Sequence, residues 1–169
     1  MIGNSIQTIV MNPAITLRKT TEADLETLFA QQADDEYAFM AAFMNERFKD
    51  KDFYLERWKG FLKDDMINSW TVIVDNEVAG SVGTWVSDGQ TQITYGVNKA
   101  LWGRGIASAA LTEFLKLNPK RPLYGGVAFD NVGSAKVLRK CGFTQTGTEK
   151  GHAHARGKEI EEIIFILGE

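Results

Sequence analysis

The chain has 169 residues, of which 44% are hydrophobic and 24% charged, ordinary for a globular domain that buries roughly two-thirds of its surface. With 19 basic and 22 acidic side chains the formal net charge is -3, so nothing in the charge balance favours nucleic acid or an anionic membrane as partner. The single cysteine, Cys141, excludes an internal disulfide and suits a reducing cytoplasm, and no apolar run reaches the ~18 residues of a membrane span.

Residues 1–12 lack both the basic start and the long apolar stretch of a secretory signal, and are expected to form a leader before a single domain over 13–169. Ile15 to Arg18 reads as a first strand. Thr21 and Asp24 resemble a capping box ahead of the helical stripe Leu25, Leu28 and Phe29. Residues 34 to 62 are rich in aromatics, with Tyr37, Phe39, Phe43, Tyr54, Trp58 and Phe61 among them. They read as core packing or, in part, as the wall of a substrate pocket. Asp34, Asp35 and Glu36 are either a solvated helix start or an attractor for a cationic amine.

Trp70 to Val74 and Val78 to Val86 read as strands joined by a turn at Asp75-Asn76, and Asp88-Gly89 leads into a third strand over 91–97. In that strand Ile93, Tyr95 and Val97 share one face while Gln92, Thr94 and Gly96 share the other. A loop from Asn98 to Arg104 opens a helix whose apolar positions are Ile106, Ala109, Ala110, Phe114 and Leu117, and which Asn118-Pro119 ends. Gly103 and Gly105 fall where the first free N–H groups of that helix point outward, so a bulky anion can approach the main chain. The glycines serve either a polyphosphate-bearing cofactor or a plain strand-to-helix turn. A Walker loop fits poorly, because Gly105 is followed by Ile106 and Ala107 instead of Lys and Ser or Thr. A dinucleotide fingerprint also fits poorly, because no acid lies between Glu113 and Asp130.

Leu123 to Phe129 is a further glycine-rich strand, where the backbone comes close to something. Asp130 or Asn131 then caps a short helix with Ala135, Leu138 and Cys141 along its buried side, stopped by Gly142. Strands over 143–149 and 158–167 follow, joined by the segment 151–157. Within that segment His152 and His154 have no further ligand to complete a metal site.

The order Trp102-Gly103-Arg104-Gly105-Ile106-Ala107 resembles the acetyl-CoA pyrophosphate loop of the GCN5-related N-acetyltransferases, in particular the branch that acetylates ribosomal-protein N-termini. A second segment of that family is matched by Asn131, Ser134, Val137, Leu138, Gly142 and Phe143. The resemblance implies an α+β fold with a mixed, mostly antiparallel sheet of about six or seven strands flanked by about four helices. It implies acetyl-CoA as cosubstrate and no metal. The expected cofactor contacts are Tyr95, Gly96, Val97, Trp102, Gly103, Arg104, Gly105, Ile106, Ala107, Asn131, Ser134 and Lys136. The partner is an amine, either a protein N-terminus or a small molecule, and the chain is a monomer or homodimer.

Direct acetyl transfer needs an anchored pyrophosphate and a strand edge for the pantetheine amides. It also needs a donor for the oxyanion, and a route for the amine and thiol protons. The chain departs from the family on the last demand. Gln92 stands where some members have a basic glutamate, and Leu138 where others have an acidic tyrosine. Ser134 matches the serine given the acid role in the ribosomal branch. That branch's glutamate base falls on Ala153, which leaves His152, His154, Glu161 or a water chain as candidates. The alternative reading is an acyl-CoA-binding sensor that kept the loop and lost the chemistry.

Overall fold

The computed structural model describes residues 14–169, so the leader expected over 1–12 lies outside the described residues. Strand β1 (Ile15–Lys19) is followed by helices α1 (Leu25–Gln32), α2 (Asp35–Ala41) and α3 (Lys51–Phe61). The meander β2 (Asn68–Val74), β3 (Glu77–Ser87) and β4 (Gln90–Val97) comes next, then α4 (Ile106–Leu117), β5 (Leu123–Ala128) and α5 (Val132–Lys140). The hairpin β6 (Thr144–Ala153) and β7 (Lys158–Leu167) closes the chain. The seven strands form one sheet in the order β1-β2-β3-β4-β5-β7-β6, with five α-helices around it. Among the described residues no helix is long and apolar enough to cross a membrane.

Both turns of the meander follow from their residues. Asp75 and Asn76 (φ 50° and 66°) and Asp88 and Gly89 (φ 49° and 75°) adopt the left-handed conformations that a two-residue hairpin requires. The Thr21/Asp24 capping box is present, and the buried Asp24 carboxylate does more than cap. It takes both guanidinium nitrogens of Arg18 at 2.7 Å and the Thr71 hydroxyl at 2.9 Å, tying the first helical turn to β1 and β2. Burial alone would push this carboxyl up, but those donors together hold it at about 2.

Three sequence expectations shift. On α4 the buried stripe includes Leu111 and leaves Leu117 about half exposed, because the helix docks through its first three turns and its last residue clears the sheet. The segment 151–157 is shorter as a connection than it reads, since β6 keeps pairing with β7 as far as Ala153 opposite Lys158. Cys141 is half-buried at the end of α5, with its thiol directed at the Ser108 carbonyl, instead of fully enclosed.

Strands β4 and β5 decide where a site can form. Every other neighbouring pair in the sheet is antiparallel, while these two are parallel and are paired only at Gln92 and Tyr124. Beyond that vertex they diverge, leaving the edges of residues 93–97 and 125–128 without each other's hydrogen bonds. A sheet interior with an open wedge exposes main-chain donors and acceptors that need partners. Helix α5 packs on one face of this wedge, where Leu138 meets Gly125 and Ile93. Helix α2 packs on the other, where Tyr37 covers Gly96.

Candidate active site

The wedge continues into a groove of about 600 Å³ that runs from α2, between β4 and β5, to the first turns of α4 and α5. At the α4 end the loop is shaped by its own residues. Trp102 donates its indole N–H to the Val97 carbonyl at 2.8 Å, pinning the loop to the end of β4. Gly103 and Gly105 have φ of 77° and 74°, which side-chain-bearing residues rarely adopt, and nothing lies within 4 Å of where a Cβ would project. Gly105 is the N-cap of α4, so the first free N–H groups of that helix face open space at the end of the groove. Lys99–Leu101 within the loop forms a single 3-10 turn capped by Asn98.

At the α5 end, the Asn131 side chain accepts from the Ser134 N–H at 3.1 Å and donates to the Met40 carbonyl at 3.0 Å, joining α5 to the end of α2. The Ser134 hydroxyl is 2.7 Å from the Tyr95 phenol, whose oxygen also lies 3.1 Å from the Ser134 carbonyl. Burial pushes the Tyr95 phenol up to about 12 against the opposing pull of Ser134, so it stays protonated at neutral pH. Its single proton goes either to the Ser134 carbonyl or to Ser134 Oγ, and in the second arrangement the serine proton is free for a ligand.

Of the residues that the sequence nominates, all the cofactor contacts but one line this groove: Tyr95, Gly96, Val97, Trp102, Gly103, Gly105, Ile106, Ala107, Asn131, Ser134 and Lys136. Arg104 is the exception and lies exposed beside it. The structure does not bring His154 or Glu161 to the groove. His152 pairs with Glu159, on the face of β6 and β7 that points away from Glu162, and His154 lies in the turn beyond. Their rings pack edge to face at 4.6 Å, and both side chains are exposed. Glu161 is exposed on the same far face, because neighbours in a strand point to opposite sides. Gln92 sits at the closed vertex, opposite Tyr124.

The acidic triplet is a helix start. Asp34 caps α2 through the Glu36 and Tyr37 N–H groups, and Asp34 and Glu36 share Lys99 while Asp35 pairs with Lys49.

Of two polar groups on the α2 face, Glu162 was not nominated from the sequence, and Tyr37 only among the aromatics read in part as a pocket wall. The Tyr37 hydroxyl lies over Gly96, and the Glu162 carboxylate lies over Gly126, each filling the place a Cβ would take. Burial pushes the Tyr37 phenol up to about 12. Burial, with Glu149 beside it, also pushes the Glu162 carboxyl up. The signal available in advance was the glycines themselves, since a glycine inside a strand marks a close approach. What approaches was set by α2 and β7. Arg156, itself buried, holds these parts together by donating to the Phe39 carbonyl at 2.9 Å and bidentately to Asp130 at 2.8 Å.

An unpaired strand edge that leads to a glycine-bearing helix N-terminus suits an elongated ligand with amides along its length and phosphates at one end. The chain belongs to the GNAT acetyltransferase family: the acetyltransferase (GNAT) domain model matches residues 14–144. An uncharacterized N-acetyltransferase p20 of Bacillus licheniformis is 30% identical over 110 residues, which is 59% of this chain and 61% of that relative's length. Among solved structures the fold is similar to spermidine N-acetyltransferase from Vibrio cholerae in complex with CoA and spermine. The TM-score is 0.79 at 15% identity, covering 91% of this chain and 95% of that one. It is also similar to ribosomal-protein-alanine N-acetyltransferase from Brucella melitensis, with a TM-score of 0.76 at 22% identity, covering 91% and 99%. RimL, a ribosomal-protein acetyltransferase in complex with coenzyme A, gives a TM-score of 0.77 at 16% identity, covering 91% and 93%.

Proposed function

We propose that the chain is an N-acetyltransferase that moves the acetyl group of acetyl-CoA to a primary amine by direct attack. The observation that carries this reading is the divergence of β4 from β5 beyond Gln92 and Tyr124, which opens a groove ending at Gly103 and Gly105. The thioester supplies an activated acyl carbon and a thiolate leaving group. The chain's own part is to bind, orient and move protons. Free N–H groups at the start of α4 hold the pyrophosphate, and alternate main-chain groups of residues 93–97 pair with the pantetheine amides. The Ser134 hydroxyl, set by Tyr95, protonates the departing sulfur (reference thiol pKa ~8.5). The Tyr37 hydroxyl over Gly96 and the N–H groups of β4 are the donors for charge developing on the acyl oxygen.

The acceptor approaches from the α2 side, where the groove is walled by Tyr37, Met40 and Ala41. The relatives' names include both protein and polyamine acceptors, so the acceptor is a protein N-terminus or a small amine. The test is a thiol-release assay with acetyl-CoA against alanine- and serine-terminated peptides, spermidine and aminoglycosides. Turnover with at least one amine is expected. Tight acetyl-CoA binding without turnover on any of them would instead make the chain an acyl-CoA sensor.

A further inference from the structure

We propose that Glu162 is the general base, the group that takes the proton from the acceptor amine. The assignment rests on the acetyltransfer reading above and deepens it.

Strand alternation comes first. On β7, Lys158, Ile160, Glu162 and Ile164 share one face, while Glu159 and Glu161 share the other. Ile160 packs with Ala42, Ala128 and Ala153 in the small core beneath the end of α2, so the face of Glu162 is the α2 face, from which the amine enters. The next point is reach. Glu162 pairs in register with Ala128 on β5, yet its side chain leans along the strand until the carboxylate covers Gly126. Gly126 lines the groove on the β5 side of the wedge. Across the wedge, Gly96 is covered in the same way by the Tyr37 hydroxyl. The two diverging strands thus each carry a glycine on the acceptor face, and each glycine is overlaid by one polar side chain, a donor on β4 and a carboxylate on β5. The bare backbone at both positions makes room for these groups.

The surroundings fit a base. Glu149 on β6 stands directly opposite Glu162, and the Ala128 and Gly126 side of β5 carries no charge. Phe43, just past the end of α2, packs on the Ile160 cluster, and on β7 Ile160 and Ile164 flank Glu162 with Lys158 four residues away. Burial first and Glu149 second both favour the protonated carboxyl, which makes Glu162 a better proton acceptor than a solvated carboxylate.

The steps balance. An ammonium ion gives one proton to the Glu162 carboxylate, which returns it to solvent. The neutral nitrogen then forms the C–N bond as the C–S bond breaks. The second nitrogen proton passes to Ser134 as Ser134 gives its own proton to the departing sulfur, so Ser134 ends as a hydroxyl and the products are an amide, a free thiol and one solvent proton.

The test compares the parent with Glu162→Gln, Glu149→Gln and Glu159→Gln, using acetyl-CoA with spermidine and an alanine-terminated peptide. Glu162→Gln keeps the shape over Gly126, so acetyl-CoA affinity by calorimetry should stay within about twofold while kcat falls about a hundredfold or more. The acidic limb of the parent's pH–rate profile, where rate rises as the carboxyl loses its proton, should lie above the ordinary carboxylate value of ~4.3 and vanish in Glu162→Gln. Glu149→Gln should move that limb to lower pH, and Glu159→Gln should match the parent. A carbon-13 titration of the Glu162 carboxyl, read without substrates, should show the same raised midpoint and the same response to Glu149→Gln. Equal kcat and profile in the parent and Glu162→Gln, or a Glu162 carboxyl that titrates like a free one, overturns the assignment and leaves the acetyltransfer reading standing. A parent that binds no acetyl-CoA or acetylates neither amine overturns that reading, and this assignment with it.

Discussion

The two ends of the groove are built by different means. At the α4 end the proposed working groups are main-chain N–H donors presented by a contiguous run, Trp102 to Ala107, and shaped by two glycines with positive φ. At the β7 end the proposed groups are side chains, Tyr37 from α2 and Ser134 from α5 lining the groove and Glu162 from β7 lying over the groove-lining Gly126. A main-chain site tolerates almost any side chain that leaves the backbone path intact. A side-chain site tolerates almost any backbone neighbour that leaves the group in place. The two ends should therefore fail to different mutations and in different kinetic parameters.

The largest effect is expected at the α4 end. Gly105→Val puts a β-branched residue at φ 74°, which the chain escapes only by moving the N-cap of α4. Acetyl-CoA affinity should drop about a hundredfold or more by calorimetry, with circular dichroism showing the protein still folded. Arg104→Ala, which removes an exposed side chain and leaves the main chain unchanged, should cost only a few-fold on the same measurement. Should the two variants bind alike, the main-chain account of this end is wrong.

Next comes Ser134→Ala, which removes a group acting as the C–S bond breaks. We expect kcat to fall some tens of fold with the Michaelis constant for acetyl-CoA nearly unchanged. A change confined to acetyl-CoA affinity would move Ser134 from proton donor to simple cofactor contact.

Gly126→Ala sharpens the contrast further. The added methyl occupies the place of the Glu162 carboxylate, the far end of a flexible side chain that can swing aside. Stability in urea should change by less than about 1 kcal/mol while kcat falls about tenfold and acetyl-CoA binding holds. Unchanged turnover here would say that the position of the carboxylate does not matter.

The smallest effect is expected from the His152→Ala/His154→Ala double variant. Both rings are exposed and outside the groove, so its pH–rate profile should superimpose on that of the parent. A lost limb near pH 6.5 would return the base role to the hairpin turn.

The same division explains what could be read in advance. The α4 end was legible because its signal is local: Gly103, Gly105 and the apolar spacing after them describe one continuous backbone path. The hairpin turns, the helix cap at Asn131 and the stop at Gly142 were legible for the same reason, each resting on residues within a few positions of one another. Even on α4 the reading faltered where distance entered, since Leu111 and Leu117 carry the same side chain and only the reach of the sheet decides which is buried.

The β7 end was not legible. Glu161 and Glu162 are neighbours of one chemistry, and a strand's period of two sends one of them to solvent and the other over Gly126. Which one goes where depends on the register of β7 against β5 and β6, fixed by the burial of Ile160 and Phe165 across strands far apart in the chain. Tyr37 likewise reads as one aromatic among many until α2 packs against β4. The sequence alone determined the elements, their order and the glycine-shaped loop, because backbone conformation is a short-range property. Tertiary structure alone decided that Tyr37 and Ser134 share one groove and that Glu162 reaches Gly126 at its β5 edge, because a side chain's neighbours are set by the register and packing of elements that local sequence does not encode.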